Sequence, residues 1–566
     1  MAPQAFNLIS DPWIQVIEKK TGTVATVSMG DLFAHAQDYA RLAGDMAAQD
    51  LAVMRLLLAV LHTVYSRVDA GGRPYDWLDL DDSWQVTGFD DDDEAWSDDL
   101  LDTWQALHER GGFTAAVGEY LDRHRERFDF FGDTPFYQVT ADEYDALVPK
   151  NKRIATGAGT VALKQINRLI SESGNSPALF APKSGDGKNV LSLPELVRWV
   201  ITYQNFTGVT DKTKIEAPDK FSTPAGWLYR LGPVFAQGKD LVETLLLNLV
   251  LTDETAYHVE RPVWEWPSVA AYVKDRIRLV LPDNVSEVYT ALARLLHLEW
   301  DASGNPTIFT AGVPMFASTN AFVEPMTTWR RDDKAQVESY YPAARSKRNL
   351  AYAMWRHFGD YVGTGSATGM PQPGVVTWLG RLQERRLVAR DRHLTLAAVA
   401  LISDGNATSQ APVAEITDDM TLEVAVLFDA DNRNFWPRRI EDTVKATQQI
   451  VKDYGNFLRT VAIIRNLDAS SFEPKYSADF YARLNGPFKD WLAGLRNTDD
   501  RDERIAAWYQ TLQRLVLTTA DEFVQHATPR DIRGIETEKG VLNIFVARNR
   551  LAKAVRQDLE LKKGES

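Results

Sequence analysis

Four apolar stripes at helical spacing close this chain, and they leave its C-terminal end few ways to fold. Ile440, Val444, Val451, Tyr454, Leu458 and Val461 form the first. Phe480, Leu484, Phe488, Trp491 and Leu495 form the second, where Pro487 predicts a kink. The third comprises Ile505, Trp508, Leu512, Leu515 and Phe523, and the fourth Leu542, Phe545, Leu551, Val555 and Leu559. A helix with one apolar face must cover it, and four such helices joined by short polar connections cover one another. The spacing therefore predicts an antiparallel four-helix bundle over residues 416–566.

The remainder, residues 1–415, mixes short strands and helices among many Gly, Pro, Ser and Thr turns, which makes the fold class α+β. Single cores stop growing near ~250–300 residues, so a chain of 566 residues needs at least two domains. Phe6–Val16 reads as a short strand pair broken at Asp11–Pro12. Leu51, Met54, Leu58, Leu61 and Val64 predict a helix over Ala47–Tyr65, with Asp45 near its N-terminus. The most apolar windows, Leu56–Leu61 and Leu245–Leu251, fall short of the ~20 residues a membrane helix needs, and no early segment reads as a signal peptide. With no Cys, disulfides, thiolate metal sites and Cys nucleophiles are excluded. These features predict a soluble, cytoplasmic protein with no membrane partner.

The net charge of −15 argues against a nucleic-acid partner, but its distribution weakens the objection. Between Pro74 and Glu109 stand thirteen acids and no Lys or Arg, so the rest of the chain carries only −2. Local basic clusters remain at Lys150–Lys152–Arg153, Arg330–Arg331–Lys334 and Arg345–Lys347–Arg348. Such a chain touches phosphates locally and binds DNA weakly alone. The run Asp90–Glu94 lacks the spacing and Gly of a hard-cation loop and reads as a solvated, self-repelling segment.

The familiar catalytic patterns are missing. No H-x-x-x-H pair, G-x-S-x-G elbow or Walker A occurs; Gly187–Lys188 is followed by Asn189. His62, His297 and His357 lie in apolar stretches that read as helical, where a histidine is ordinarily part of the core. Gly157–Ala162 matches G-x-G-x-x-A without the buried strand a dinucleotide fingerprint requires, so a turn entering a helix at Leu163–Ile170 is the reading. The expectation is no catalytic residue, no metal and no cofactor.

The order of features along the chain resembles a known family. FNLISDPWIQV at the start, Leu42–Leu58 and Thr134–Gln138 (TPFYQ) are similar to the CasA family, the large subunit of the type I-E CRISPR surveillance complex Cascade. Gly174–Phe180 (GNSPALF) resembles that family's first DNA-facing loop, Tyr203–Gly208 falls where the family has its glycine loop, and Asp404–Gln410 (DGNATSQ) resembles its glutamine wedge. The resemblance spans the chain, and its weight lies in the order of short motifs. It implies a non-catalytic subunit that recognises the protospacer-adjacent motif (PAM) in double-stranded DNA, wedges the duplex open to start the R-loop and helps recruit the helicase-nuclease. Its partners are then the other Cascade subunits, the crRNA and the target DNA.

The resemblance assigns Thr207, Gly208, Val209 and Thr210 to the glycine loop. Only Gly208 is glycine there, so threonine hydroxyls become candidate donors to the minor groove. Asn406, Ser409 and Gln410 belong to the wedge, and Ala178, Leu179 and Phe180 to the loop facing DNA or a neighbouring subunit. From the residues alone the first is also an ordinary loop, the second a solvated turn and the third a segment tucked into its own domain. Arg548, Arg550, Lys553 and Arg556 on the last helix suit displaced DNA, an anionic partner or plain solvent. Two rival functions stay open: a metal-dependent hydrolase using the Asp-rich segment, and a protein scaffold that never touches DNA.

Overall fold

In the computed structural model, seventeen of the nineteen residues of the helix Ala47–Tyr65 are buried. The periodicity predicts one apolar face, but the helix is covered all round, as its near-continuous apolar sequence requires. It is long and apolar enough by composition to cross a membrane, and 89% of that window lies inside the fold. The unbroken apolar runs alone understate it. Two of its polar residues are paired internally: Arg55 Nη1 donates to Glu324 Oε1 at 2.6 Å with both side chains fully buried. Gln49 Oε1 accepts from Arg198 Nε at 3.1 Å.

The structure describes residues 5–90, 95–166, 187, 189–208, 212–222, 225–253, 255–278, 281–301, 304–347, 352–363, 371–403, 412–430, 434–538 and 540–561. The chain forms two units. The first comprises Met1–Leu350, Pro373–Leu379 and Ala397–Thr417; the second comprises Ala351–Gln372, Gly380–Leu396 and Asp418–Ser566. The second unit therefore takes more than residues 416–566, drawing two stretches from upstream.

Unit one is the mixed part. A three-stranded antiparallel sheet places Ile14–Glu18 between Val24–Val27 and Tyr39–Leu42. The expected strand pair in Phe6–Val16 is one strand only, because Leu8–Ser10 turn and Asn7 joins Asp129 through an isolated bridge. A second sheet orders Thr160–Val161, Pro306–Gly312 and Arg294–Trp300. Gly157 and Gly159 turn into it with φ of +67° and +81°, and the helix after it is Leu163–Ile166 in the described residues. Phe136 and Tyr137 of the TPFYQ stretch are buried and stacked at 4.4 Å.

The three histidines separate. His62 sits in the core helix, where burial pushes its pKa down to about 3 and keeps it neutral. His297 lies on the strand Arg294–Trp300 rather than a helix, its Nδ1 bonded to the Val139 carbonyl at 2.9 Å. His357 ends a short 3-10 turn and stacks on Tyr352 at 4.8 Å.

Unit two carries four long helices, Trp436–Arg465, Ala469–Ala493, Arg501–Gln525 and Ile544–Leu561. The first packs against each of the other three, and the third against the second and fourth. The second runs through Pro474 and Pro487 as one continuous helix. In the second stripe Leu492 is buried where Trp491 is half-buried, and in the third Val516 takes the place of Leu515. The fourth stripe needs correction. Leu542 belongs to the strand Gly540–Leu542 of a hairpin with Ile535–Thr537, and Phe545 is exposed. Ile544, Ala547, Leu551, Val555 and Leu559 are the buried positions. The spacing across 542–545 is too short to distinguish a hairpin end from a first helical turn.

Candidate nucleic-acid interface

The helix Leu193–Phe206 opens with a capping box, in which Ser192 and Glu195 satisfy each other's main-chain N–H, and Pro194 sits in its first turn. From Leu196 to Phe206 every residue is buried, including Gln204 and Asn205. Gln204 exchanges two hydrogen bonds with the main chain of Arg294: its Nε2 donates to the carbonyl at 2.8 Å and its Oε1 accepts from the N–H at 3.1 Å. The helix ends at Thr207, whose N–H donates to the Tyr203 carbonyl.

The loop beyond this helix is mounted on one cross-strand pair. Arg294 and Gly312 are direct partners in the antiparallel sheet. Arg294 Nη2 donates to the Gly208 carbonyl at 3.2 Å. On the far side of residues 209–211, Gly312 N–H donates to the Thr213 carbonyl at 2.9 Å and Ile215 N–H to the Gly312 carbonyl at 3.1 Å. Both ends of the loop are thus fixed to neighbouring residues of the same sheet.

Thr207 and Gly208 require a correction as groove-contacting residues. Thr207 is fully buried and its hydroxyl donates to the Gly208 carbonyl at 3.0 Å, while Gly208 is itself buried. Both residues finish a buried helix, so their polar groups serve the root of the loop. Val209 and Thr210 lie outside the described residues, as do Ala178, Leu179 and Phe180 and the wedge residues Asn406, Ser409 and Gln410. The ends of those segments are described. Residues 404–411 join the strands His393–Ser403 and Pro412–Glu423, neighbours in a sheet whose third strand is Val234–Gln237. Residues 167–186 lie in sequence between Ile166 and the Ser192 cap, and that cap stands at the opposite end of a helix about 21 Å long from Gly208.

Two of these roots meet in one short segment. Gly226 N–H donates to the Thr207 carbonyl at 2.8 Å and Leu228 N–H to the Asn205 carbonyl at 2.9 Å. Three residues beyond Gly226, Tyr229 Oη lies 3.2 Å from the Oγ of Ser403, the last described residue before the candidate wedge. Gly226 has no room for a side chain, since a Cβ there would lie 2.3 Å from the Asn205 carbonyl oxygen. The same segment receives the Arg345 N–H at the Arg230 carbonyl, 2.6 Å away. Residues 226–231 thereby tie the base of the candidate glycine loop to the base of the candidate wedge, which are almost two hundred positions apart.

The surrounding charge is mixed. Of the basic clusters, Arg345 is buried, whereas Lys150, Arg153, Arg331, Lys334 and Lys347 are exposed. Arg348 lies outside the described residues. Glu415, on the strand that follows the candidate wedge, accepts from the Ala48 N–H at 2.7 Å, and burial raises its pKa. In unit two, Arg548 forms a two-point ion pair with Asp521. Arg550, Lys553 and Arg556 are exposed and make no ion pair among the described residues. Asp91–Glu94 are outside the described residues, and among the rest no three His, Asp or Glu side chains converge as a metal ion would need.

The residues that build the site, Gly226, Tyr229, Arg294, Gly312 and Ser403, carry no local signature. Each acts through a partner 18 or more positions away, beyond the reach of spacing or periodicity. Only the Gly in Pro224–Trp227 offers a hint, as a turn.

A model of the family described as CRISPR-associated protein Cse1 matches residues 7–519. The chain belongs to the Cse1 family. The CRISPR-associated protein CasA/Cse1 of Thermus thermophilus is 27% identical over 352 residues, 59% of this chain, and the match spans 57% of that relative's length. The Cse1 crystal structure from Thermobifida fusca superposes with a TM-score of 0.76 at 22% identity, covering 99% of this chain and 98% of that one. A chain from a CRISPR RNA-guided surveillance complex gives 0.55 at 13% identity, covering 98% and 100%. At these identities the two structures establish a shared Cse1 fold. The family that the order of motifs resembles is the one to which the chain belongs.

Proposed function

We propose that this Cse1 chain is the non-catalytic large subunit of a crRNA-guided type I-E surveillance complex. It recognises the protospacer-adjacent motif in double-stranded DNA, wedges the duplex open to start R-loop formation and helps recruit the helicase-nuclease. Family membership supports the assignment to the complex. The joint mounting of residues 209–211 and 404–411 on the segment 226–231 carries the DNA-reading part, because two loops that act on adjacent base steps need a fixed mutual register.

Thr210 is the remaining hydroxyl of the glycine-loop segment, and the minor groove it would read has a degenerate code that suits a relaxed motif preference. Gln410 would insert beside the motif. Opening one base step costs about 1.4 kcal/mol of stacking, which a planar amide partly replaces, and pairing of guide to target then carries strand exchange forward.

The test is target-duplex binding by the guide-loaded complex, with and without this chain, on targets that carry or lack the motif. Motif-dependent binding conferred by the chain, lost in Gln410→Ala with assembly intact, is the expected result. Unchanged binding without the chain overturns the reading.

A further inference from the structure

Unit two contains an open pocket of about 280 Å³ among its first three long helices. Its walls are aromatic: Tyr454 from the first helix, Tyr476 and Phe480 from the second, Phe523 from the third. Tyr454 and Phe480 lie 4.8 Å apart, and Tyr476 meets Phe523 edge-on at 5.1 Å. The volume falls just under the ~300 Å³ at which drug-sized pockets begin, so it suits one side chain or a small organic ion rather than a nucleotide.

The charges around it are arranged unequally. Arg483 is held by Glu522 through two parallel contacts, and Arg465 by Asp531 in the same manner. His526 contributes Nδ1 to a bond with the Glu522 carbonyl at 2.8 Å. Both arginines are therefore neutralised by their own partners. Asp479, which also lines the pocket, forms no ion pair among the described residues. Tyr454 is 1% exposed, yet its hydroxyl makes no hydrogen bond to any described residue and lies within electrostatic reach of Asp479, Arg483 and Glu522. One carboxylate outside any ion pair among the described residues, one tyrosine hydroxyl without a hydrogen-bond partner there and several aromatic rings remain to meet an occupant. Aromatic faces attract cations, and a carboxylate adds a charge-assisted bond to N–H donors. An anion would meet Asp479 and Glu522 with neither arginine free.

We propose that this pocket is a binding site for an organic cation of the guanidinium or alkylammonium class, with Asp479 and Tyr454 as its polar contacts. The cation enters either on a basic side chain of a polypeptide or as a free polyamine. Neither source involves the DNA-facing loops, so the site is independent of the proposed function.

Calorimetric titration of the full chain with N-acetyl-arginine amide tests it, with the neutral citrulline analogue as the isosteric control. Saturable binding is expected, weakened about tenfold or more by citrulline and by Asp479→Asn, and about threefold by Tyr454→Phe. Asp479 is exposed, so its substitution leaves the fold intact, and the citrulline comparison needs no variant. A tighter arginine-containing tripeptide assigns a side-chain source, and tighter spermidine a free polyamine. Equal affinity for arginine and citrulline, no effect of Asp479→Asn, or no binding at millimolar concentration overturns the proposal.

Discussion

A methyl group at residue 226 would sit 2.3 Å from the Asn205 carbonyl oxygen, backbone that cannot swing aside. Gly226→Ala is therefore expected to cost about 2–4 kcal/mol, read as a lowered midpoint in urea unfolding of the full chain. A second single-residue effect is electrostatic. Asp50 beside the start of the core helix is raised from 3.8 to about 7, chiefly by burial and against the bond it accepts from Gly44 N–H. The folded chain then binds this proton more tightly than the unfolded chain, so its stability falls as pH rises from about 4 to about 7. Asp50→Asn keeps the acceptor and removes the charge. Thermal unfolding should find it more stable than the parent by about 2 kcal/mol at pH 8, with the difference vanishing near pH 4.

At the scale of elements, legibility followed range. The core helix Ala47–Tyr65 carries its bounds in its own periodicity, and the first three bundle helices carry their existence but not their ends, since the second runs Ala469–Ala493 against a stripe from Phe480 to Leu495. The fourth is misread at its start because Leu542 and Phe545 mimic a helical step while lying on a hairpin end and an exposed turn of helix. The expected strand pair at Phe6–Val16 fails similarly, since alternation over so few residues does not separate a strand from a turn. For the candidate site, motif order names candidate loops but not what holds their ends. Thr207 reads as an accessible hydroxyl, and only tertiary packing reveals that it closes a buried helix end. The tie between Tyr229 and Ser403 gives a direct test of shared mounting. Tyr229→Phe removes one hydrogen bond, worth about 1 kcal/mol of stability at most. Motif-dependent DNA binding by the assembled complex is expected to fall further than that loss of stability accounts for, while binding to targets already unpaired at the motif stays unchanged.

Across the whole molecule, charge is divided rather than balanced: thirteen acids lie between Pro74 and Glu109, against −2 for everything else. The isolated chain should bind duplex weakly and lose that binding steeply as salt is raised, with a Kd no tighter than the ~10⁻⁴–10⁻⁶ M of non-specific contacts. Replacing Asp90–Asp93 with Asn should tighten this background in a filter-binding assay without creating motif preference. The segment 226–231 has a different consequence at this scale. A holder that grips two loops at their roots, one through main-chain bonds and the other through the Ser403 hydroxyl, is indifferent to what the loop tips contain. The sequences of residues 209–211 and 404–411 are then exchangeable parts. If the proposed reading holds, grafting tips from Cse1 relatives onto this chain, with 226–231 untouched, should yield surveillance complexes that answer to a different adjacent motif.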